Sequence, residues 1–363
     1  MTVADERTAV RLPSSRAGCP RHERIGVWLP SPMGDAILAT PALRAIRETF
    51  SEARISFVCN ATVRQVLTPS RFNDEWIDAG TGNPLAAGLQ LRPHHFDQAI
   101  LFKNSFSSGL AAFVSGARER IGYARDGRSW LLTRRIRPRR DSQGAFAPVS
   151  MVDYYLTLAR EAGCAAEQRA LELAVDEEDV LSVSGKLPAV MASDAPLVVL
   201  VPGGSFGPSK FWPAERFAEI ADRLADSYGA IVVISIAPDP PEEAVAACIC
   251  SQSRHRLVNL AEHPLSLGEL KALFAEADLV ITNDTGPRHI AVALRRKVVS
   301  LFGPNDARWT QTDYADEIQL VGRADCAPCE KPRCTKERHI CMESITVEKV
   351  WAAAKRFLEA GRP

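Results

Sequence analysis

The sequence predicts a two-domain α/β protein in which two Rossmann-like, doubly wound sheets face each other across a cleft. Three observations carry this. Apolar runs of strand length alternate with helix-length amphipathic segments, the pattern of βαβ units. The alternation restarts at residues 197–201 after an acidic, Ser- and Pro-containing stretch over 176–196. The chain, at 363 residues, also exceeds what one hydrophobic core ordinarily serves.

In order, residues 24–29 read as a buried first strand, and Pro41 opens a helix over 42–50. Strand-like runs follow at 54–59 and 98–102, with a helical segment over 110–114. The second half predicts strands at 197–201, 230–236, 257–260, 278–283 and 297–302, with helices over 213–228, 242–250 and 266–277. The expected division is a disordered extension over 1–23, an N-terminal domain over 24–190, and a C-terminal domain over 191–345 that contains a Cys-rich segment, 326–341. Residues 346–363 are expected to form a helix across the domain junction, with Val350, Trp351, Ala354, Phe357 and Leu358 on its apolar face.

Composition narrows the class of function. With 46% hydrophobic and 24% charged residues, the chain is of ordinary globular type. Lys and Arg together number 44, as do Asp and Glu, so no global field favours nucleic acid. No window holds the ~20 apolar residues needed to span a bilayer, so any membrane contact is expected to be peripheral. The first 23 residues lack the continuous apolar core of a signal peptide, and nine scattered cysteines then suit a reducing cytoplasm.

Three glycine- or proline-containing turns carry chemistry. Asp284-Thr285-Gly286-Pro287-Arg288-His289 joins a strand to a helix, and Thr or Asp before Pro reads as a helix cap. It is either an ordinary capped helix or an anion site, because free N–H groups and the helix dipole favour phosphate there. Pro30-Ser-Pro-Met-Gly-Asp35 is a glycine turn that holds a carboxylate at a helix start. Asp35 is either a general base or a complement to the helix dipole. Pro202-Gly-Gly-Ser-Phe-Gly-Pro-Ser-Lys210 gives glycines for close backbone approach and an ammonium for phosphate, or else a solvated loop; it is not a Walker loop. Two anion cradles in one domain point together to a diphosphate.

Nine arginines lie between 118 and 140, at 118, 120, 125, 128, 134, 135, 137, 139 and 140, against Glu119 and Asp126. The run from 134 to 140 reads as a solvated face, while the guanidinium fork also suits an anionic acceptor. No aromatic-rich face accompanies them, so nucleic acid is not expected as a partner. Cys326, Cys329, Cys334 and Cys341 fall within sixteen residues. They form either a structural thiolate site for zinc or iron or a set of unliganded or disulfide-bonded cysteines.

In this order the segments resemble glycosyltransferase family 9, the ADP-heptose:lipopolysaccharide heptosyltransferases, most closely the heptosyltransferase II type, over roughly residues 24–360. The carriers are Met33-Gly-Asp-Ala-Ile-Leu-Ala-Thr-Pro-Ala-Leu-Arg44, Lys210-Phe-Trp-Pro213, Asp284-Thr-Gly-Pro-Arg-His289, Leu301-Phe-Gly-Pro304 and Cys341-Met-Glu-Ser-Ile-Thr346. Shorter matches are Lys103-Asn-Ser-Phe106, Arg120-Ile-Gly-Tyr123 and Asp126-Gly-Arg128.

The resemblance implies a GT-B fold, with acceptor in the N-terminal half and nucleotide sugar in the C-terminal half. It implies inversion at the anomeric carbon, with no cofactor or catalytic metal required. Asp35 takes the position of the family's general base. Ser205, Lys210, Asp284, Thr285, Gly286 and His289 would bind the nucleotide sugar, and Gly34, Arg120, Arg125 and Arg128 the acceptor. The implied partners are ADP-heptose and a lipid A-core acceptor at the cytoplasmic face of the inner membrane. Two departures stand out: Ile236-Ala-Pro-Asp-Pro-Pro241 replaces a glycine-containing segment, which leaves Asp239 and Glu242 as candidates for the ribose, and Pro287-Arg288 replaces small or apolar residues. Two other functions stay open: a family 9 transferase acting on protein or another surface glycan, and a non-catalytic sugar-nucleotide binder. Asp35 argues against the second, since binding alone needs no base.

Overall fold

The computed structural model describes residues 23–78, 82–142 and 144–360, so the expected N-terminal extension lies outside the described residues but for Glu23. Two six-stranded sheets form. The first contains β1 (Arg24–Trp28), β2 (Arg54–Val58), β3 (Glu75–Ile77), β4 (Gln98–Leu101), β5 (Glu119–Tyr123) and β6 (Arg134–Ile136), in the order β3-β2-β1-β4-β5-β6. The second contains β7 (Leu197–Val201), β8 (Ile231–Ile234), β9 (Val258–Asn259), β10 (Leu279–Asn283), β11 (Val298–Phe302) and β12 (Glu317–Val321), in the order β12-β11-β10-β7-β8-β9. Their ladders are parallel, and counted from its own first strand each sheet has the same order.

That order reverses direction between β1 and β4 and again between β7 and β10. A crevice opens beyond the carboxyl ends of strands at such a reversal, because the neighbouring crossovers leave on opposite faces. The two crevices face each other. The central strands read clearly in sequence because they are buried on both faces: β7, β10 and β11 are buried along their whole length.

Helices α1 (Met33–Leu38), α2 (Thr40–Thr49), α3 (Ala61–Leu67), α4 (Pro84–Leu91), α5 (Phe106–Val114) and α6 (Met151–Glu161) belong to the first half. After α7 (Glu177–Lys186) and α8 (Pro188–Met191) come α9 (Ala214–Tyr228), α10 (Pro240–Gln252), α11 (Leu267–Glu276), α12 (Gly286–Ala293), α13 (Ile340–Glu343) and α14 (Val347–Glu359). One core cluster runs from the first sheet through α1, α2, α6, α7, α11 and α12 to the second sheet. A smaller cluster packs α4 and α5 on the outer face of the first sheet, and another packs α9, α10 and α14 on the second.

The last helix differs from its expected place. Val350, Ala354 and Phe357 join the core of the second sheet, where α14 packs on α9 and β10 to β12. Its apolar stripe is matched by α9, so it does not serve as a strap across the junction. The halves are joined by the shared core, and polar contacts add to it. Lys271 on α11 is fully buried and donates to the carbonyls of Thr68, from the first half, and Ala174, from the connection. Burial lowers its pKa to about 8, although Asp179 and Asp176 oppose this. Ser150 donates to the Gln311 carbonyl at 2.6 Å, a second tie.

Replacing Lys271 with Met removes the donor to both partly buried carbonyls, so Lys271→Met should lower the unfolding free energy by about 1 kcal/mol. Urea denaturation of both proteins measures it, and an unchanged midpoint would show that water replaces the ammonium at no cost.

Candidate active site in the cleft

The cleft is a cavity of about 440 Å³, within the range typical of small-molecule sites. Its first wall is the β1–α1 turn, with Pro32, Met33, Gly34 and Asp35; its second comes from the loops after β7, β8 and β10. The walls nearly touch where α1 passes α12. A Cβ on Gly34 would stand 3.1 Å from the His289 ring, so glycine there sets how closely the halves approach. That packing role is what the structure gives Gly34, which the sequence assigned to the acceptor.

Asp35 lies in the first turn of α1, as expected. Burial pushes its carboxyl up to about 6, and no basic side chain offsets that. A carboxyl with this acidity is mostly ionised at neutral pH yet more basic than an ordinary carboxylate, which suits a general base.

Across from it, Thr285 is the N-cap of α12 in extended conformation, and its hydroxyl does not cap the helix. That hydroxyl faces the cleft beside Gly204, whose added Cβ would meet Thr285 Oγ1 at 3.5 Å. Lys210 closes a short 3₁₀ turn over Pro208–Lys210. Its Nζ donates to the Asp284 carbonyl at 2.6 Å and to Asp284 Oδ2 at 2.7 Å, and it stands 5.0 Å over the Phe206 ring. Burial opposes ionisation of Asp284, yet Lys210 and Arg288 hold its pKa below the ordinary carboxylate value. His289 is driven down to about 3, first by burial and then by Arg288, so its imidazole is neutral at physiological pH. Its Nδ1 is buried without a hydrogen-bond partner. Ser205 lines the same cavity.

The departure at Arg288 resolves into a support beneath the site. Its side chain is fully buried and points away from the cavity. Nε and Nη2 donate to the two Glu317 oxygens at 2.5 and 3.0 Å, and Nη1 donates to Thr310 Oγ1 at 2.8 Å. Nη1 also stands 3.6 Å from Asp284 Oδ1. A chain of alternating charge thus runs Glu317, Arg288, Asp284, Lys210. Glu317 and Thr310 escape sequence reasoning because neither lies in a glycine turn or at a helix start.

Glu242, a ribose candidate, is buried and braces two loops: Oε1 accepts from Gly204 N and Oε2 from Ala237 N, each at 2.8 Å. Burial raises its pKa despite those two donors. A Cβ on Gly203 would overlap this carboxylate, so glycine there leaves room for Glu242 in its bracing position. Asp239 caps α10 by accepting from Glu242 N at 2.9 Å.

Two of the three predicted acceptor arginines are committed elsewhere. Arg120 is near the amino end of β5, away from the carboxyl-end crevice, and donates to the Leu131 and Ala117 carbonyls. Arg128 is fully buried and donates to the carbonyls of Tyr123 and Lys103, to Ser108 Oγ and to Asn104 Oδ1. Burial lowers its pKa to about 10. It fixes the loop after β4. Arg125 keeps partial exposure, 4.4 Å over the Phe146 ring.

The four predicted thiolate ligands line a separate cavity with Ser209, Pro304 and His339. All four are free cysteines, and among the described residues no group of three or more His, Cys, Asp or Glu side chains could hold a metal ion. Cys341 is packed in the core under Gly303, and burial raises its pKa. The residues as arranged do not fit zinc or iron.

The pattern described as Glycosyltransferase family 9 (heptosyltransferase) matches residues 85–340. Lipopolysaccharide heptosyltransferase 2 of Escherichia coli (strain K12) is 27% identical over 77% of this chain and 83% of its own length. Lipooligosaccharide heptosyltransferase 2 of Campylobacter jejuni is 25% identical over 93% and 98%. The solved structure of E. coli ADP-heptose lps heptosyltransferase II is 26% identical, covers 93% of this chain and 99% of its own, and superposes with a TM-score of 0.75. The two facing parallel sheets are the GT-B fold.

The raised pKa of Asp35 has a consequence for stability. A carboxyl whose folded pKa lies above its unfolded value costs stability as pH rises from about 4 to about 6, and the cost is complete above that window. Asp35→Asn should therefore be more stable than the parent at pH 8 by on the order of 2 kcal/mol, with the advantage gone at pH 3.5. Denaturant melts at the two pH values measure it, and equal curves at pH 8 would remove the buried-charge account.

Proposed function

This chain belongs to glycosyltransferase family 9, the heptosyltransferase family, and on that premise we propose that it moves a heptose from ADP-heptose to the inner core of lipopolysaccharide with inversion at the anomeric carbon. The observation that carries the proposal is Asp35, a carboxyl of raised pKa on the first wall of the cleft, facing the α12 N-terminus and Lys210 on the second. An acceptor hydroxyl attacks the anomeric carbon from the face opposite ADP. The new glycosidic C–O bond forms, the hydroxyl proton passes to the Asp35 carboxylate, and the bond from the anomeric carbon to the β-phosphate oxygen breaks.

The departing ADP carries the developing charge, and the second wall answers it. The Lys210 ammonium has three N–H donors, two of which go to Asp284, so one remains for the diphosphate. The Thr285 and Ser205 hydroxyls, the amide of Gly286 and the neutral imidazole of His289 add donors in a site partly shielded from water. Glu242 and Asp239 keep the β8 loop in place, beside the position open to the nucleoside. In this reading the domain over 24–190 holds the acceptor, with Arg125 as its remaining arginine, and the domain over 191–345 holds the donor. The enzyme works in the cytoplasm, peripheral to the inner membrane; no helix among the described residues is long and apolar enough to cross one.

Asp35→Ala should lose transfer by about 10²–10⁴ while ADP affinity stays within twofold, and the parent's rate should fall about tenfold per unit below pH 6. A transfer assay with ADP-heptose and truncated core acceptors, read by mass, measures both. Unchanged turnover in the variant sinks the base role. Lys210→Ala should weaken ADP about tenfold or more by calorimetry, with a thermal melt to check folding. Equal affinity takes Lys210 out of the donor site.

A further inference from the structure

Among the described residues nine large apolar side chains are exposed, and five of them lie together on the outer layer of the first sheet: Leu85, Leu89, Phe106, Phe113 and Trp130. Leu85 and Leu89 share one face of α4, and Phe106 and Phe113 stand on α5. Trp130 closes the group, with its ring 6.2 Å from Phe106 and 6.4 Å from Phe113. Scattered exposed apolar residues are ordinary, whereas a contiguous aromatic and aliphatic patch marks a contact surface. Trp130 is 63% exposed and Leu89 is 55% exposed, so neither is spent on the fold.

The charge around the patch is mostly positive, with Asp126 near Phe106 and Glu161 beside Arg134 as acidic members. Neither α4 nor α5 contains a charged residue, and Asp97 is the sole carboxylate between residues 79 and 118. That carboxylate is paired with Arg118, which is itself 83% exposed in its side chain. Arg92 is exposed at the end of α4, Arg120 stacks its guanidinium 5.3 Å over Phe113, and Arg134 and Arg135 are exposed just beyond Trp130. Aromatic and leucine side chains with an arginine border are the chemistry of an anionic lipid surface, where rings sit at headgroup depth and guanidinium groups meet phosphates.

The inner faces of the same two helices point the other way. Pro84 and Ala87 of α4 and Ser107, Ser108 and Ala111 of α5 wall a cavity of about 140 Å³ that also takes in Lys103 and reaches Ser31, next to the Asp35 turn. The patch and the approach to the base are therefore two sides of one helix pair. We propose that the outer face of α4 and α5 with Trp130 docks the enzyme on an anionic membrane, so that a lipid-linked acceptor enters along that pair toward Asp35. This deepens the reading of a lipid-anchored acceptor and rests on it.

The test uses the full chain and vesicles that contain no acceptor. Sedimentation with phosphatidylcholine vesicles, with and without phosphatidylglycerol, should show binding that needs the anionic lipid and weakens with salt. Trp130→Ser combined with Phe113→Ser should lower the partition coefficient about tenfold or more, and Arg118→Glu about fivefold. ADP affinity and the thermal melt should stay unchanged, which separates lost docking from lost folding. Wild-type protein that stays in the supernatant at every composition overturns the proposal. So do variants that partition as the parent does, or a lipid-free dimer that these substitutions dissolve, which would make the face a protein interface. Failure of transfer to a deacylated core acceptor by the wild type would instead sink the functional reading, with vesicle binding untouched.

Discussion

The active-site half of this molecule depends on a buried chain of four charges. Glu317, Arg288, Asp284 and Lys210 alternate in sign, and each is almost entirely withdrawn from solvent. Desolvating four ions is expensive, and their attraction offsets it only where geometry is good and the remaining donors are used. Here they are: the guanidinium grips both Glu317 oxygens and Thr310, and Ser300 donates to Glu317 as well. The chain binds the edge strand β12 to the end of β10 and presents Lys210 to the cleft. Each member is held by its neighbours, so removing one leaves the next as an uncompensated charge.

The same chain shows why part of the site could not be read from the sequence. Asp35, Lys210 and Thr285 were legible because each follows a strand within a glycine or proline turn, a local signal. Arg288 showed only as a departure from relatives, since its meaning lies in Glu317, 29 residues away on a strand with no strand-like pattern. Arg120 and Arg128 mark the opposite failure. A guanidinium in a basic run reads as an anion binder, while the fold points these two at backbone carbonyls. Cys341 likewise carries the spacing of a ligand and the packing of a core residue.

The fold was legible in proportion to burial. Strands covered on both faces are continuous apolar runs and were found, as with β7, β10 and β11. The edges β3, β6 and β12 carry Glu75, Arg134, Arg135 and Glu317. Charge on an edge strand discourages pairing with another chain, and the same charge hides the strand from a hydrophobicity pattern. The last helix was found, but its apolar stripe does not say which partner it meets. Only α9, folded from a segment over a hundred residues earlier, settles that.

The repeated strand order has a consequence for how such an enzyme diversifies. Because both sheets follow one path, each offers its own set of loops at its own reversal, and the two sets meet without sharing a residue. Loops after β7, β8 and β10 form one wall, and the β1–α1 turn with the segments around α4 and α5 forms the other. The two sets of loops come closest where α1 passes α12. A lineage built on this plan can vary the loops of one wall while keeping those of the other, with Gly34 and His289 at their point of contact.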